Sequence, residues 1–315
     1  MATKADFAII NANELVTLNG TSSKPQVREE MKNLSTIKDG AVAVKDGRIV
    51  AVGITKEVLD KLERGFEVID ASGKLVTPGL VDPHVHLIFA GSREEELEMM
   101  AVKGIPYLEI KARGGGMPTT LKKTGEAATE ELLKRTAKIL DTMLIHGTTT
   151  IEAKSGYEMT YHGEIRQLEI IDTLNKTHPI DLVPTFLAQG IPYEYENRVD
   201  QLTDEIVEKW IPEIAKRKLA EYCDVFCEKG YFNVKQSRRI LEAGRKYGMK
   251  LRIHADWLVH SGGARLGAEL GVVSADHLIF TPMEEIEALV NKGAIGTFLP
   301  TTPFCYLGTY AKARE

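Results

Sequence analysis

The sequence predicts an α/β chain in which a small β module precedes a (β/α) barrel. Three observations predict it. The first 78 residues read as short strands; from Leu80 onward apolar, β-rich runs alternate with longer amphipathic runs; and several histidines fall at the ends of those predicted strands. Strands alternating with helices imply a parallel sheet covered by helices. The expected domains are residues 1–78, the β module, and 79–315, the barrel.

In the module, GAVAVKDGRIVAVG (40–53) alternates around Asp46-Gly47, a strong hairpin signal. FEVID and a turn at Ser72-Gly73 follow, and the polar stretch from Thr21 to Lys38 reads as loop. The barrel strands are expected at 80–87, 148–153, 181–187, 223–227, 250–255, 272–278 and 294–300. Helices are expected near 126–146, 161–176, 204–217, 234–247, 262–270 and 282–292. Asn233 with Gln236 has the pattern of a capping box. Thr281-Pro282-Met283-Glu284 reads as a cap, a first-turn proline and a third-position glutamate. Gly248 and Gly293 stand where helices end in a left-handed residue. That makes seven strands, where a closed barrel uses eight. No eighth is expected before Glu315, so the outer strands would have unpaired edges.

Composition narrows the function. The chain has 315 residues, 43% apolar and 27% charged, as expected of a globular protein with a large core. Lys and Arg number 40 against 45 Asp and Glu, a balance of −5. That gives no electrostatic reason to expect nucleic acid or an anionic membrane as partner. No window has the roughly 18 apolar residues of a membrane helix, and the first residues lack a secretory signal. Three cysteines suit a reducing cytoplasm better than a disulfide framework. Cys223 and Cys227 lie about 13 Å apart along one strand, so they read as two small buried hydrophobes.

The chemistry points to histidine. His84 and His86 form an HxH on the first barrel strand, and residues two apart share a face. His254 ends the fifth strand and His277 the sixth. Barrel active sites are built at those strand ends, and neutral imidazole is a common ligand of zinc and iron. His146, His162, His178 and His260 lie on predicted helices or loops and read as surface or structural. Arg93 follows the first strand; it could grip a substrate carboxylate through its planar fork, or pair with the glutamates of REEELE. Tyr157 follows the second strand, where packing and substrate contact are both open. Gly114–Gly116 lacks the GK[ST] of a phosphate loop, and no GxSxG elbow occurs.

PGLVDPHVHLIFAGSREEE, EIKARGGGMPTT, MLIHGTTTIEAKSGY, LAEYCDVFCEKGYFNVKQSRRILEAG, the HAD at 254–256, LGAELGVVSADHL and FLPTTPFCYLG together resemble the imidazolonepropionase family of the amidohydrolase superfamily. The resemblance covers nearly the whole chain. It implies an amidohydrolase-type (β/α)8 barrel with a small β-sandwich, and hydrolysis of the ring amide of 4-imidazolone-5-propanoate to N-formimino-L-glutamate. It implies one zinc or iron ion held by His84, His86 and His254, with Arg93 and Tyr157 binding substrate and His277 beside the reacting carbonyl. A cytoplasmic homodimer is implied as well. Three positions depart from the family. Trp257 stands where the family has a glutamate, Gly190 stands where it has a histidine, and the eighth-strand aspartate has no counterpart before Glu315. The departures keep two alternatives open: a related cyclic amidohydrolase or deaminase with another substrate, and a truncated, inactive copy.

Overall fold

The computed structural model describes residues 2–20 and 26–313. The chain divides into two units, Met1–Gly79 and Leu80–Glu315.

In the first unit, β1 (Phe7–Val16), β2 (Thr36–Lys45), β3 (Arg48–Ile54), β4 (Glu67–Asp70) and β5 (Leu75–Val76) form one mixed sheet, with α1 (Thr55–Leu59) after β3. β2 pairs antiparallel with β1 and β3, while β4 and β5 pair parallel to β1. The expected hairpin is present: Asp46 and Gly47 take φ of 50° and 70°, the left-handed pair that a two-residue turn demands. Of the stretch expected as loop, Thr21–Pro25 lies outside the described residues. The remainder holds a 3-10 turn at Arg28–Lys32, and β2 already begins at Thr36.

The second unit is a seven-stranded, all-parallel sheet in sequential order: β6 (Leu80–Val85), β7 (Thr148–Lys154), β8 (Asp181–Ala188), β9 (Tyr222–Cys227), β10 (Lys250–Ala255), β11 (Ser274–His277) and β12 (Ile295–Thr297). The sheet curls into a nearly closed barrel. His84 on β6 reaches Asp276 on β11, and Arg252 on β10 donates to the Pro83 carbonyl at 2.8 Å, contacts that a flat sheet could not make.

Helices α5 (Thr129–Ile145), α6 (Tyr161–Thr177), α9 (Val234–Lys246), α10 (Gly263–Leu270) and α11 (Met283–Asn291) cover the outside, each within a few residues of its expected span. Their inward stripes follow the helical period: Leu132, Thr136 and Leu140 on α5 are all buried. On α9, a methyl at Gly244 would sit 2.5 Å from Cys223 Cβ, so the helix packs directly on β9. Cys223 and Cys227 are free and buried in that contact, as expected of small hydrophobes.

Three expectations need correction. The stretch 94–126 carries α2 (Glu94–Ala101), α3 (Tyr107–Ala112) and α4 (Met117–Glu126), and α12 (Thr301–Tyr306) follows β12; none was expected. Gly116 sits at the α4 N-cap and Pro118 in its first turn, where no N–H is needed. The helix expected at 204–217 starts at Val199 and is broken into α7 (Val199–Glu205), a π turn (Ile206–Trp210) and α8 (Ile211–Lys216), with Pro212 in the first turn of α8. Thr281 does not cap α11. Pro282 holds that position, and the Thr281 hydroxyl donates to Asp256 Oδ2 at 2.8 Å. By contrast, the Asn233–Gln236 capping box is formed. No described helix is long and apolar enough to cross a membrane.

Glu164, in the first turn of α6, is 1% exposed and accepts from the Met159 and Glu158 backbone N–H groups at 2.7 and 3.3 Å. Burial pushes its carboxyl up to about 7 despite those donors. A raised folded-state pKa means that the penalty is absent below the ordinary value of 4.5 and grows as pH rises through 7. Glu164→Gln is therefore expected to stabilise the fold at pH 8, by up to about 3 kcal/mol, and to change it little at pH 5. Thermal melts at the two pH values check this; an equal shift at both would refute it.

Candidate active site

The strand ends gather the four expected histidines. His84 on β6 and His86, one residue past its end, lie two apart in extended backbone and turn to the same side. His254 enters from β10 and His277 from β11. The His84 ring lies 4.7 Å from that of His254 and 5.3 Å from that of His86, between centroids. His277 lies 5.3 Å from His254. His84, His86 and His254 each offer a nitrogen within 4.8 Å of the others. His84 Nε2, His254 Nε2 and His86 Nδ1 are buried without a hydrogen-bond partner. Burying three such atoms unpaired is costly, and one shared cation would satisfy all three. The donor set therefore fits a divalent metal.

The far sides of two of these rings are fixed. His84 Nδ1 bonds to Asp276 Oδ2 at 2.6 Å, and His254 Nδ1 to Asp224 Oδ1 at 3.2 Å. A carboxylate on one nitrogen makes it the N–H and leaves the other as lone pair. Between the two carboxylates stands Lys154 of β7, wholly buried. Its Nζ lies 2.8 Å from Asp224, 2.9 Å from Glu152 and 3.5 Å from Asp276. Arg252 closes the cluster, with Nη2 3.3 Å from Asp276. Burial raises both carboxyls, yet their partners win: His254 and Lys154 hold the Asp224 carboxyl well below the usual range, and the Lys154 charge and the hydrogen bond from His84 do the same for Asp276. Lys154 itself is raised by Asp224 and Glu152 against the opposing effect of burial. Burial, then the Lys154 charge, pushes His84 down to about 3; burial holds His86 and His277 well below their ordinary value. These imidazoles are neutral at ordinary pH.

Above them opens a cavity of about 160 Å3, lined by His84, His86, His254 and His277 together with Arg93, Tyr157, Gln189, Tyr231, Trp257 and Tyr306. This volume suits a small metabolite better than a drug-sized ligand. Tyr157 stacks on His86 at 5.0 Å, and burial pushes its phenol up to about 12, so it stays an O–H donor. Arg93 faces the cavity and also lies 3.5 Å from Glu96, the ion pair that one of its two readings expected. His277 takes a φ of 76° and Leu278 one of 55°. Consecutive left-handed residues at a strand end are the kind of backbone strain that concentrates at working sites. Trp257 stacks on His277 with centroids 5.1 Å apart and planes 16° off parallel. Gly190 is absent from the cavity wall; a methyl there would strike the Met159 side chain. His146, His162 and His260 are exposed and His178 half-buried, and none of the four lines this cavity. An eighth strand with an aspartate has no counterpart among the described residues.

Sequence reasoning missed Lys154, Glu152, Asp224, Asp276 and Arg252. The D-H pair ending β11 was an available signal, whereas the E-x-K of β7 alternates as a solvated strand does.

A nearly closed parallel barrel with imidazoles converging at its strand ends defines a metal-site amidohydrolase. Among solved structures, a triazine hydrolase from Arthrobacter aurescens is similar over 98% of this chain and 68% of its own, with TM-score 0.67 and 16% identity. An adenosine deaminase from Xanthomonas campestris with bound zinc is similar over 99% and 66%, with TM-score 0.61 and 17% identity. At such identities the likeness establishes the fold. The sequence profile of the amidohydrolase family matches residues 67–107. The imidazolonepropionase of Alkaliphilus metalliredigens is 47% identical over 98% of this chain and 74% of its own length. That of Clostridium tetani is 42% identical over 99% and 74%. The chain belongs to the imidazolonepropionase family, and it spans about three-quarters of the length of those relatives.

Replacing Lys154 with methionine would leave three buried carboxylates without their shared cation. Lys154→Met is expected to lower the unfolding free energy by about 3–5 kcal/mol, read by chemical denaturation. A loss below about 1 kcal/mol, the value of an exposed pair, would contradict the burial of this cluster.

Proposed function

We propose that this chain hydrolyses the ring amide of 4-imidazolone-5-propanoate to N-formimino-L-glutamate. The observation that carries the reading is the meeting of three unpartnered imidazole nitrogens and one guanidinium on a single small cavity. Family membership supplies the substrate. His84, His86 and His254 hold one divalent ion, zinc or iron. Bound there, the ion supplies Lewis acidity to the ring carbonyl and acidifies water.

The remaining roles fall to the chain's own side chains. Arg93 takes the propanoate carboxylate in its planar fork. Tyr157 offers its O–H from the wall beside His86. His277 has an unpartnered, buried Nδ1. Its neutral ring can donate N–H to the oxygen of the reacting carbonyl or accept a proton from water, according to tautomer. Trp257, stacked on it, holds the ring plane and keeps solvent from that face. The balance is simple: the water oxygen bonds to the carbonyl carbon, the ring C–N bond breaks, and the departing nitrogen takes the proton. No electrons are exchanged. By family likeness the assembly is a homodimer.

One observation favours a second reading. Trp257 fills the position of the family glutamate with an indole that cannot accept or relay a proton, and the second reading is that the cavity opens a different cyclic amide; a substrate panel separates the two.

The metal-loaded protein is expected to convert imidazolone propionate to formiminoglutamate. Chelation should abolish turnover, and zinc or ferrous ion should restore it. Turnover of another ring with none of this one would replace the reading by the second. Arg93→Met is expected to raise KM by roughly 10- to 100-fold while changing kcat far less; an unchanged KM would remove Arg93 from the substrate.

A further inference from the structure

We infer that Arg166, on α6 and outside the cavity, is a positioning residue that sets which length of carboxylate tail the cavity accepts. It does so by fixing the loop that carries Arg93 relative to the loop that carries Tyr157. The inference rests on the proposed reaction for the contact of those two side chains with substrate.

Arg166 is not part of the cavity wall. Its guanidinium bridges two segments beyond its own helix. Nε donates to Glu158 Oε1, Nη1 to the Ala127 carbonyl and Nη2 to the Thr124 carbonyl, each at 3.0 Å. Nη2 also lies 2.8 Å from Glu158 Oε2, so the planar fork takes both oxygens of the residue next to Tyr157. The Glu158 side chain is 8% exposed, which sets this pair apart from the loosely held ion pairs of a surface. Thr124, wholly buried on α4, carries the brace onward. Its hydroxyl accepts from Ala90 N at 3.0 Å, three residues before Arg93. Arg135 on α5 adds a second tie, Nη2 to the Gly91 carbonyl at 2.8 Å. Gly91 has a φ of +76°, and a methyl there would strike the Lys123 side chain of α4. The approach to Arg93 is thus pinned to α4 and α5. On the other side, α6 grips the Tyr157 loop directly. Glu164 accepts from Met159 N and Glu158 N, and the buried Gln167 accepts from Tyr157 N at 3.4 Å. Glu164, Arg166 and Gln167 stand in one turn of α6. That turn holds the Tyr157 loop with two side chains and the end of α4, hence the Arg93 loop, with the third. A misplacement of about 1 Å by a change remote from the chemistry can cost roughly 100-fold.

The test measures, on the metal-loaded protein, the calorimetric Kd of imidazole-4-acetate, imidazole-4-propanoate and imidazole-4-butanoate, which have no carbonyl to attack. KM and kcat for imidazolone propionate are taken alongside. The parent is expected to prefer the propanoate by roughly 10-fold or more, the value of one methylene in a fitted site. Arg166→Met is expected to shrink that preference by roughly 3- to 10-fold, through weaker propanoate binding, and to raise KM more than it lowers kcat. Arg166→Lys keeps the charge opposite Glu158 without the fork, and its preference should fall between the two. Where Arg166→Met fails to fold, Arg166→Lys decides by the same ratio. A parent-like preference in the variant overturns the brace, and so does an equal loss for all three acids, the mark of a merely structural role. A parent with no preference among the acids overturns it too. A preference that persists in Arg93→Met overturns it as well, because the tail then has another partner. A parent that shows the preference but does not turn over imidazolone propionate overturns the ring-opening reading alone; erosion of the preference in Arg166→Met then still supports the brace.

Discussion

The buried ammonium of Lys154 is the constraint from which the rest of the barrel site follows. A charge with no access to water survives only if it is paired and hydrogen-bonded. Lys154 meets that demand through Glu152 on its own strand and through Asp224 and Asp276 on β9 and β11. Strands that are not neighbours in the sheet can share one cation only if the sheet curls. The curvature of the barrel and the pairing of this charge are therefore one condition. With Glu152 ionised, Lys154 and Arg252 against three carboxylates leave a balance of 2 − 3 = −1 beneath the imidazoles. That sign favours a cation above them.

The same carboxylates do a second task. Asp224 and Asp276 each meet both the cations and a ring nitrogen, Asp276 through the same Oδ2. The rings on β6 and β10 are thus locked in tautomer before any ligand arrives, which is what preorganised sites require. Placement on strands rather than loops adds precision, because each ligand direction is set by backbone pleat.

Much of this was legible in the sequence, and the limits are physical. The HxH, His254 and His277 could be placed because strand period and strand-end position decide where a side chain points. Asn233 and Gln236 could be read as a cap because the signal is local. Lys154 could not, since E-x-K has the alternation of a solvated strand; only its encirclement by β9 and β11 shows it to be buried. Thr281 failed for the opposite reason: a sound local signal lost to a tertiary partner, Asp256.

The departure at Trp257 is where packing and proton chemistry compete. The residue after His-Ala-Asp reaches the cavity beside His277, so whatever stands there governs that ring. An indole at 5.1 Å, nearly parallel, removes water from one face and fixes the ring plane. A nearby carboxylate does exist, Glu228, but one of its oxygens accepts from the Trp257 and Leu258 N–H groups at 3.0 and 2.9 Å and the other from Lys229 N at 2.8 Å. It is consumed in shaping the loop. His277 is left beside the indole with its basicity depressed by burial. The indole makes the surroundings of His277 drier and more rigid, and the left-handed backbone at His277 and Leu278 fixes where that ring stands.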